Sequence, residues 1–270
     1  MTNYVAFCLY GVDPKYSIGA IRNAEIALEL LPGWTSVFFL GESVPLSVES
    51  QLSKLGSRVI RIFEPEDSAA MLWRYRAIFL EDSDLVIFRD TDSRLSSREI
   101  KLVEEWINSG RDLHIIRDHP NHKSAILGGM WGAKSERLRS RFHFHDEIGG
   151  LITLSYGLDQ EVIRLRVFRD WRLTRLVHDG IFTRECGSKK PEPHNSEGSF
   201  IGEVFSADEE PDPTGRQQLV AFHNSRSIRF WTQIASIRQI AADLALDLKR
   251  MYILLRKSYS SGASSSRKEI

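Results

Sequence analysis

Short apolar runs that alternate with longer amphipathic segments are the feature of this sequence that most limits its fold. The runs predicted to be strands are Tyr4–Tyr10, Trp34–Leu40, Arg58–Ile62, Leu85–Phe88 and Leu113–Ile116. The segments predicted to be helices are Ile18–Leu31, Leu46–Leu55, Ser68–Phe79 and a stretch around Ile100–Ile107 that Gly110 closes. Alternation of this kind is typical of crossover units in a parallel sheet. We therefore predict an α/β fold with a mixed, mostly parallel sheet flanked by helices, in which ligands bind at the carboxyl ends of the strands.

The composition is that of an ordinary globular chain, with 270 residues of which 42% are hydrophobic. We expect one large domain over residues 1–225, an amphipathic helix over 226–257 and a serine-rich, disordered tail over 258–270. The 36 basic and 36 acidic residues cancel, which argues against a nucleic-acid partner held by bulk charge. Cys8 and Cys186 form no disulfide framework, and we see neither a signal-like amino terminus nor an apolar run long enough to span a bilayer, so a cytoplasmic location is expected.

Two carboxylates follow the predicted strand Leu85–Phe88, at Asp90 and Asp92. On an extended backbone, side chains two residues apart leave on the same face, so both can approach one cation. Oxygen ligands favour Mg²⁺ or Mn²⁺, and Mg²⁺ is usually held by one or two carboxylates together with phosphates and water. The competing interpretation is an acidic turn that only caps the next helix. Against it, the pair follows an apolar strand and precedes a helix signal of its own, where Ser96 or Ser97 can serve as N-cap. The position after an apolar strand favours a metal–diphosphate site.

The second half of the chain is less regular. Residues 126–132, with Gly128 and Gly129, are expected to form a glycine-rich strand that a ligand or another backbone approaches closely. A helix is predicted from Asp159 to about Phe168, and a strand from Leu173 to His178. Imidazoles also stand at ligand-like spacings in His119/His122 and His143/His145, but the further ligands of a zinc site are not in register.

Heptad-like spacing marks the carboxyl-terminal helix. Its apolar positions are Ile234, Ile237, Ala241, Leu244, Leu248, Met251 and Leu255. Three interpretations stay open: a helix packed on the catalytic domain, a homodimer contact, and a contact with a membrane surface through its basic end, peripheral to the inner membrane face.

Together, these motifs resemble a group of bacterial GT-A type glycosyltransferases. The resemblance spans residues 4–205 and is carried by Tyr10-Gly11, Pro32-Gly33-Trp34, Phe88–Arg94, His114–Pro120 and Leu127–Gly132. It implies a Rossmann-related GT-A-like fold, a Mn²⁺ or Mg²⁺ ion, a nucleotide-diphosphate sugar as donor, and a saccharide or glycoconjugate acceptor in polysaccharide biosynthesis.

Carried over to this sequence, the resemblance implies roles for particular residues. Asp90 would face the donor, Asp92 would ligate the metal, and His178 would supply a further metal ligand unless it is a structural histidine. The positions expected to bind the nucleotide sugar are Tyr10, Gly11, Lys15, Tyr16, Arg74 and Arg76.

The acceptor side is expected to contain Gly128, Gly129 and Trp131, although a core tryptophan is an equally ordinary outcome. If the transfer inverts the anomeric centre, Asp159 is the candidate general base; if it retains configuration, Asp159 or Gln160 would position a substrate. The structural alternative for Asp159 is an N-cap.

Two other function classes stay open. A Mg²⁺-dependent nucleotidyl- or phosphoryl-transfer enzyme would also use paired acids, but the sequence contains no G-x-x-x-x-G-K-[ST] phosphate loop. A non-catalytic nucleotide-sugar-binding scaffold of a polysaccharide synthase would use the carboxyl-terminal helix for assembly.

Overall fold

The computed structural model describes residues 1–139, 157–182, 184–238, 240–241 and 244–245. The strands are β1 (Thr2–Leu9), β2 (Trp34–Leu40), β3 (Arg58–Arg61), β4 (Ser83–Phe88), β5 (Leu113–Arg117), β6 (Trp131–Lys134) and β7 (Arg175–Asp179). The α-helices are α1 (Pro14–Leu30), α2 (Leu46–Lys54), α3 (Ser97–Ser109), α4 (Ser135–Arg139), α5 (Leu158–Ile163) and α6 (Pro213–Asn224). A 3₁₀ helix covers Ser68–Phe79, and a π-helical turn, Arg164–Phe168, follows α5.

The described strands form one seven-stranded sheet in the order β3-β2-β1-β4-β6-β5-β7. All neighbouring pairs are parallel except those of β6, which runs antiparallel to β4 and to β5. The predicted α/β class with a mixed, mostly parallel sheet is confirmed.

Local signals explain where the helices flanking the sheet begin and end. Helix α1 starts a turn earlier than predicted, because Pro14 is its first residue and the Asp13 carboxylate accepts a hydrogen bond from the backbone N–H of Lys15 at 3.0 Å. Helix α3 is capped by Ser96 and ends at Gly110, whose φ of 67° lies in the left-handed region.

The predicted glycine-rich strand over residues 126–132 is wrong in its first part. The strand begins only at Trp131, and the backbone N–H of Met130 donates to the carbonyl of Leu127 at 3.3 Å, which closes a turn. Gly128 and Gly129 therefore lie in the turn that enters β6. Because β6 is antiparallel to β4, this turn stands at the same edge of the sheet as the carboxyl end of β4.

Apolar side chains cover both faces of the sheet. On one face the 3₁₀ helix contributes Trp73 and Tyr75; on the other, Ala20, Leu52 and Trp106 come from α1, α2 and α3. Burial on both sides explains why the strands read as continuous apolar runs.

The chain divides into two compact units, Met1–Ala221 and Phe222–Ile270. In the second unit, residues 226–238 are helical. The tail predicted over 258–270 and the heptad positions Leu248, Met251 and Leu255 lie outside the described residues. None of the helices in the described ranges combines the length and apolar content that a membrane crossing requires.

Candidate functional site

A cavity of about 350 Å³ opens at the carboxyl ends of β1 and β4. It is also bordered by the 3₁₀ helix, the turn before β6 and the start of α5. The residues that line it include Cys8, Tyr10, Tyr16, Arg74, Asp90, Thr91, Asp92, His122, Leu127, Gly128, Gly129, Met130, Asp159, Gln160 and Gly202. The fold therefore brings most of the predicted site residues to one place.

The loop that carries the two carboxylates is held by helix α1. The buried amide of Asn23 donates to the carbonyl of Ser93 at 2.7 Å and accepts from the backbone N–H of Leu95 at 3.0 Å. One turn earlier, Gly19 lies so close to the carbonyl of Thr91 that an added Cβ would overlap it. This close approach fixes the backbone between Asp90 and Leu95 from one side.

One carboxylate oxygen of Asp90 forms an ion pair, and the other lies close to a glycine. Its Oδ1 pairs with the guanidinium of Arg74, and a Cβ at Gly129 would overlap its Oδ2. The Asp90 side chain nevertheless remains 46% exposed, so the carboxylate is open to the cavity. Glycine at 129 is what allows the turn to approach this carboxylate.

Asp92 carries negative charge that its surroundings only partly neutralise. Burial and the nearby Asp90 raise the pKa of its carboxyl group, against the opposing effect of Lys15. The Lys15 ammonium lies 3.3 Å from Asp92 Oδ2 and is itself 28% exposed.

A divalent cation fits this donor set. Asp90 and Asp92 offer hard oxygen ligands, and the lysine ammonium already occupies a cation position beside Asp92. No cluster of three or more histidine, cysteine, aspartate or glutamate side chains suited to a metal exists in the described ranges. If Mg²⁺ or Mn²⁺ binds here, Asp90 and Asp92 are the residues that would hold it, with phosphate and water as the remaining ligands, the arrangement usual for Mg²⁺.

Arg74 joins two of the carboxylates in the cavity. Its side chain is 3% exposed, and its second terminal nitrogen lies 3.0 Å from Asp159 Oδ2. Its Nε and Nη1 donate to the carbonyls of Met71 and Arg89 at 3.0 and 3.2 Å. Burial opposes the charged form, yet Asp90 and Asp159 keep the pKa of Arg74 above its ordinary value. Arg74 is thus a fixed, buried positive charge between Asp90 and Asp159.

Asp159 lies in the first turn of α5 and not at its N-cap position, which Gly157 occupies. Its side chain is 5% exposed, and burial raises the pKa of its carboxyl group despite Arg74. A Cβ at Gly128 would overlap its Oδ2. Each glycine of the turn before β6 therefore accommodates one carboxylate.

His122 is a cavity residue whose position the sequence did not specify. Its Nδ1 accepts a hydrogen bond from the backbone N–H of Asp118 at 3.1 Å. Burial lowers the pKa of His122 to about 3, so the ring is neutral and its proton lies on Nε2. A neutral ring of this tautomer offers a ligand an N–H donor and not a metal-binding lone pair. The spacing of His119 and His122 was visible in the sequence, but only the fold places His122 in the cavity.

His178 does not lie with Asp90 and Asp92. It is buried, and its Nδ1 is 2.9 Å from Nε2 of His114 while its Nε2 is 3.4 Å from Glu105 of α3. Burial lowers the pKa of His178. The expectation that it completes the metal's ligand set is therefore replaced by a structural role in the layer beneath α3. His143 and His145 lie outside the described residues.

Arg76 and Trp131 are also absent from the cavity lining. Arg76 pairs with Glu64 at 2.6 Å, because two residues of a 3₁₀ helix, which has three residues per turn, place its side chain on a different face from that of Arg74. Trp131 is fully buried, and its ring centroid lies 4.3 Å from that of Phe88, so it is a core residue.

Gly11 and Lys15 stand beside the cavity. The backbone N–H of Gly11 donates to Ser43 Oγ at 2.7 Å and to Glu66 at 3.1 Å, and φ of Gly11 is +79°. Lys15 reaches the site through its contact with Asp92.

Comparison with known proteins gives structural similarities only. No family model matches the sequence, and no curated protein matches it. One similar solved structure is glucosyl-3-phosphoglycerate synthase from Mycobacterium tuberculosis in complex with Mn²⁺, uridine diphosphate and phosphoglyceric acid, with a TM-score of 0.43 and 15% identity over 65% of this chain and 67% of that one.

Two further structures are similar to the same degree. The same synthase in complex with uridine diphosphate has a TM-score of 0.42 and 14% identity, covering 72% of this chain and 73% of that one. The 4-diphosphocytidyl-2C-methyl-D-erythritol synthase from Anaerococcus prevotii has a TM-score of 0.44 and 9% identity, covering 65% and 86%.

Proposed function

We propose that this protein is a metal-dependent glycosyltransferase that moves a sugar from a nucleotide-diphosphate sugar to a saccharide or glycoconjugate acceptor. The observation that carries the proposal is the grouping of Asp90, Asp92, Arg74 and Asp159 around one cavity at the carboxyl end of β4. A diphosphate needs a divalent cation and fixed positive charge, and the acceptor hydroxyl needs a proton acceptor. The cavity contains a candidate for each of these tasks.

The diphosphate end of the donor belongs beside Asp90 and Asp92. When bound there, Mg²⁺ or Mn²⁺ would supply Lewis-acid stabilisation for the charge that grows on the departing nucleoside diphosphate. Lys15, beside Asp92, can turn from that carboxylate toward a phosphate oxygen because its side chain is partly exposed. Tyr10 and Tyr16 offer aromatic faces in the same cavity for a nucleobase or a sugar ring.

Asp159 is the candidate for proton transfer. A raised carboxyl pKa makes a carboxylate a stronger base, and general-base assistance is typically worth about 10²–10⁴ in rate. Arg74 holds one oxygen of Asp159 and limits its orientation. In a transfer with retention, the same pair would position the donor, since no base is then required.

The test compares Asp92→Asn with Asp84→Asn, a control of the same chemistry at the opposite end of β4. Purified variants are incubated with a panel of nucleotide-diphosphate sugars, with nucleoside triphosphates and with Mn²⁺, and products are identified by mass spectrometry. We expect sugar release or transfer that a chelator abolishes, that Asp92→Asn lowers about 10²-fold or more, and that Asp84→Asn leaves unchanged. Turnover of a nucleoside triphosphate but of no nucleotide sugar would favour nucleotidyl transfer. Metal-dependent binding of a nucleotide sugar without turnover would favour a non-catalytic scaffold.

A further inference from the structure

Exposed apolar side chains are concentrated near the carboxyl end of the described chain. Six of the 16 large hydrophobic residues that are exposed in the described ranges fall between positions 228 and 244. They are Ile228 (41%), Phe230 (58%), Trp231 (59%), Ile237 (61%), Ile240 (37%) and Leu244 (55%), and we call this set the C-terminal surface. Exposure on this scale within one short segment marks an interaction site.

Most of these side chains share one side of the helix. Within the helical residues 226–238, Phe230 and Ile237 are seven residues apart, and seven residues of an α-helix turn through almost two full circles. They therefore lie on one line along the helix, with Trp231 on its flank. The resulting stripe is wider than the seam of a two-stranded coiled coil, which uses only two positions in seven.

The charge around the C-terminal surface is strongly positive. Residues 222–241 contain Arg226, Arg229 and Arg238 and no acidic residue. Residues 222–270 contain nine basic and three acidic residues, a net charge of +6, and because the whole chain is neutral, residues 1–221 carry −6. The two parts of the chain therefore carry opposite net charges, which cancel in the whole chain.

Charge decides between the two occupants that an exposed apolar helix suggests. A second copy of this chain would bring the same three arginines, Arg226, Arg229 and Arg238, to the contact, so self-association through the helix would be opposed by like-charge repulsion. A surface of anionic lipid complements both the arginines and the apolar stripe. Basic helices with tryptophan and phenylalanine on the apolar side are typical of segments that lie in the plane of a membrane interface.

We propose that the C-terminal surface binds an anionic lipid bilayer, with Phe230, Trp231 and Ile237 inserted at the headgroup boundary and the arginines at the lipid phosphates. This inference does not depend on the reaction proposed for the cavity. The size of the effect follows from known increments: each basic residue near an anionic membrane strengthens binding about fivefold, and an inserted large apolar side chain strengthens it about tenfold or more.

The experiment measures co-sedimentation of the full-length protein with vesicles of phosphatidylcholine alone or mixed with phosphatidylglycerol. Two double variants separate the apolar from the electrostatic contribution. One combines Phe230→Ser with Trp231→Ser, and the other combines Arg226→Gln with Arg238→Gln. The matched control is Trp171→Ser, which removes a tryptophan that is 86% exposed in the other unit. Circular dichroism establishes that each variant is folded.

We expect the wild type to bind the anionic vesicles only, and salt to weaken this binding. The arginine double variant should bind about 25-fold more weakly and the aromatic double variant about 100-fold more weakly. Trp171→Ser should bind as the wild type does. Equal binding by wild type and the aromatic variant would overturn the proposal, as would failure of wild type to bind anionic vesicles. A dimer in light scattering that the aromatic variant dissociates, without vesicle binding, would assign the surface to a second copy.

Discussion

Removal of Arg74 most directly tests how the charges of the buried carboxylates in the cavity are compensated. We predict that Arg74→Met destabilises the protein at neutral pH by about 3–5 kcal/mol, the range for breaking a buried ion pair on one side. The reason is the difference between its two partners. The Asp90 side chain is 46% exposed and can be solvated, whereas the Asp159 side chain is 5% exposed and would be left as an uncompensated buried charge.

The stability of Arg74→Met depends on pH through Asp159. Burial already raises the pKa of Asp159 in the folded protein, and loss of Arg74 would raise this pKa further. The folded state then holds a proton that the unfolded state has released, so the free energy of unfolding falls as pH rises from the ordinary aspartate range through the raised pKa. The slope is at most about 1.4 kcal/mol per pH unit for one proton. The defect of Arg74→Met is therefore largest at neutral pH and shrinks in acid.

Urea unfolding of the full-length protein at a series of pH values, followed by circular dichroism, measures this effect. The double variant Arg74→Met with Asp159→Asn should recover most of the lost stability, because the amide carries no charge. We expect the double-mutant cycle to give a coupling energy near the upper end of the usual range, which is about 0.5–3 kcal/mol. The reasoning is refuted if Arg74→Met is as stable as wild type at neutral pH, or if Asp159→Asn does not relieve the defect.

Two further predictions concern residues that support the site. Asn23→Ala should lower the free energy of unfolding by about 2–3 kcal/mol, because the N–H of Leu95 and the carbonyl of Ser93 lose their buried partner. It should also weaken Mn²⁺ binding measured by calorimetry. Unchanged metal affinity would show that α1 does not position the metal ligands. His122→Phe keeps a ring but removes the Nε2 proton, so nucleotide-sugar affinity should fall about fivefold to tenfold. It also removes the acceptor of the Asp118 N–H, so the free energy of unfolding should fall by about 1–3 kcal/mol. Equal affinity in a binding titration would remove His122 from the ligand contacts.

Sequence patterns predicted the layered sheet because its signals are local. The predicted runs correspond to β1 to β5 within a few residues, since strands buried on both faces are apolar throughout. The place of the carboxylates could also be predicted, because parallel strands present their carboxyl ends at one edge. Neither inference required knowledge of distant contacts.

The features that the sequence did not predict depend on contacts between distant parts of the chain. A mixed sheet was expected, but which strand is reversed is set by the pairing of β6 with β4 and β5, which a run of four strand residues does not encode. Arg74 and Arg76 are the same residue type and lie two positions apart in the sequence. The 3₁₀ helix nevertheless directs Arg74 into the cavity and Arg76 to Glu64. His178 lies next to the last residue of β7, where a ligand is expected, but its ring contacts Glu105 of α3.

The reversed strand β6 also determines where this protein tolerates changes of length. Phe88 of β4 pairs with Trp131 of β6, so Asp90 follows that pair by two residues and Gly129 precedes it by two. One residue inserted between 88 and 90, or between 129 and 131, would shift Asp90 and Gly129 relative to each other by about 3.3 Å, the rise of one extended residue, and break the close approach between them. Related chains that keep this site should therefore differ in loop length elsewhere, while both of these two-residue intervals stay constant.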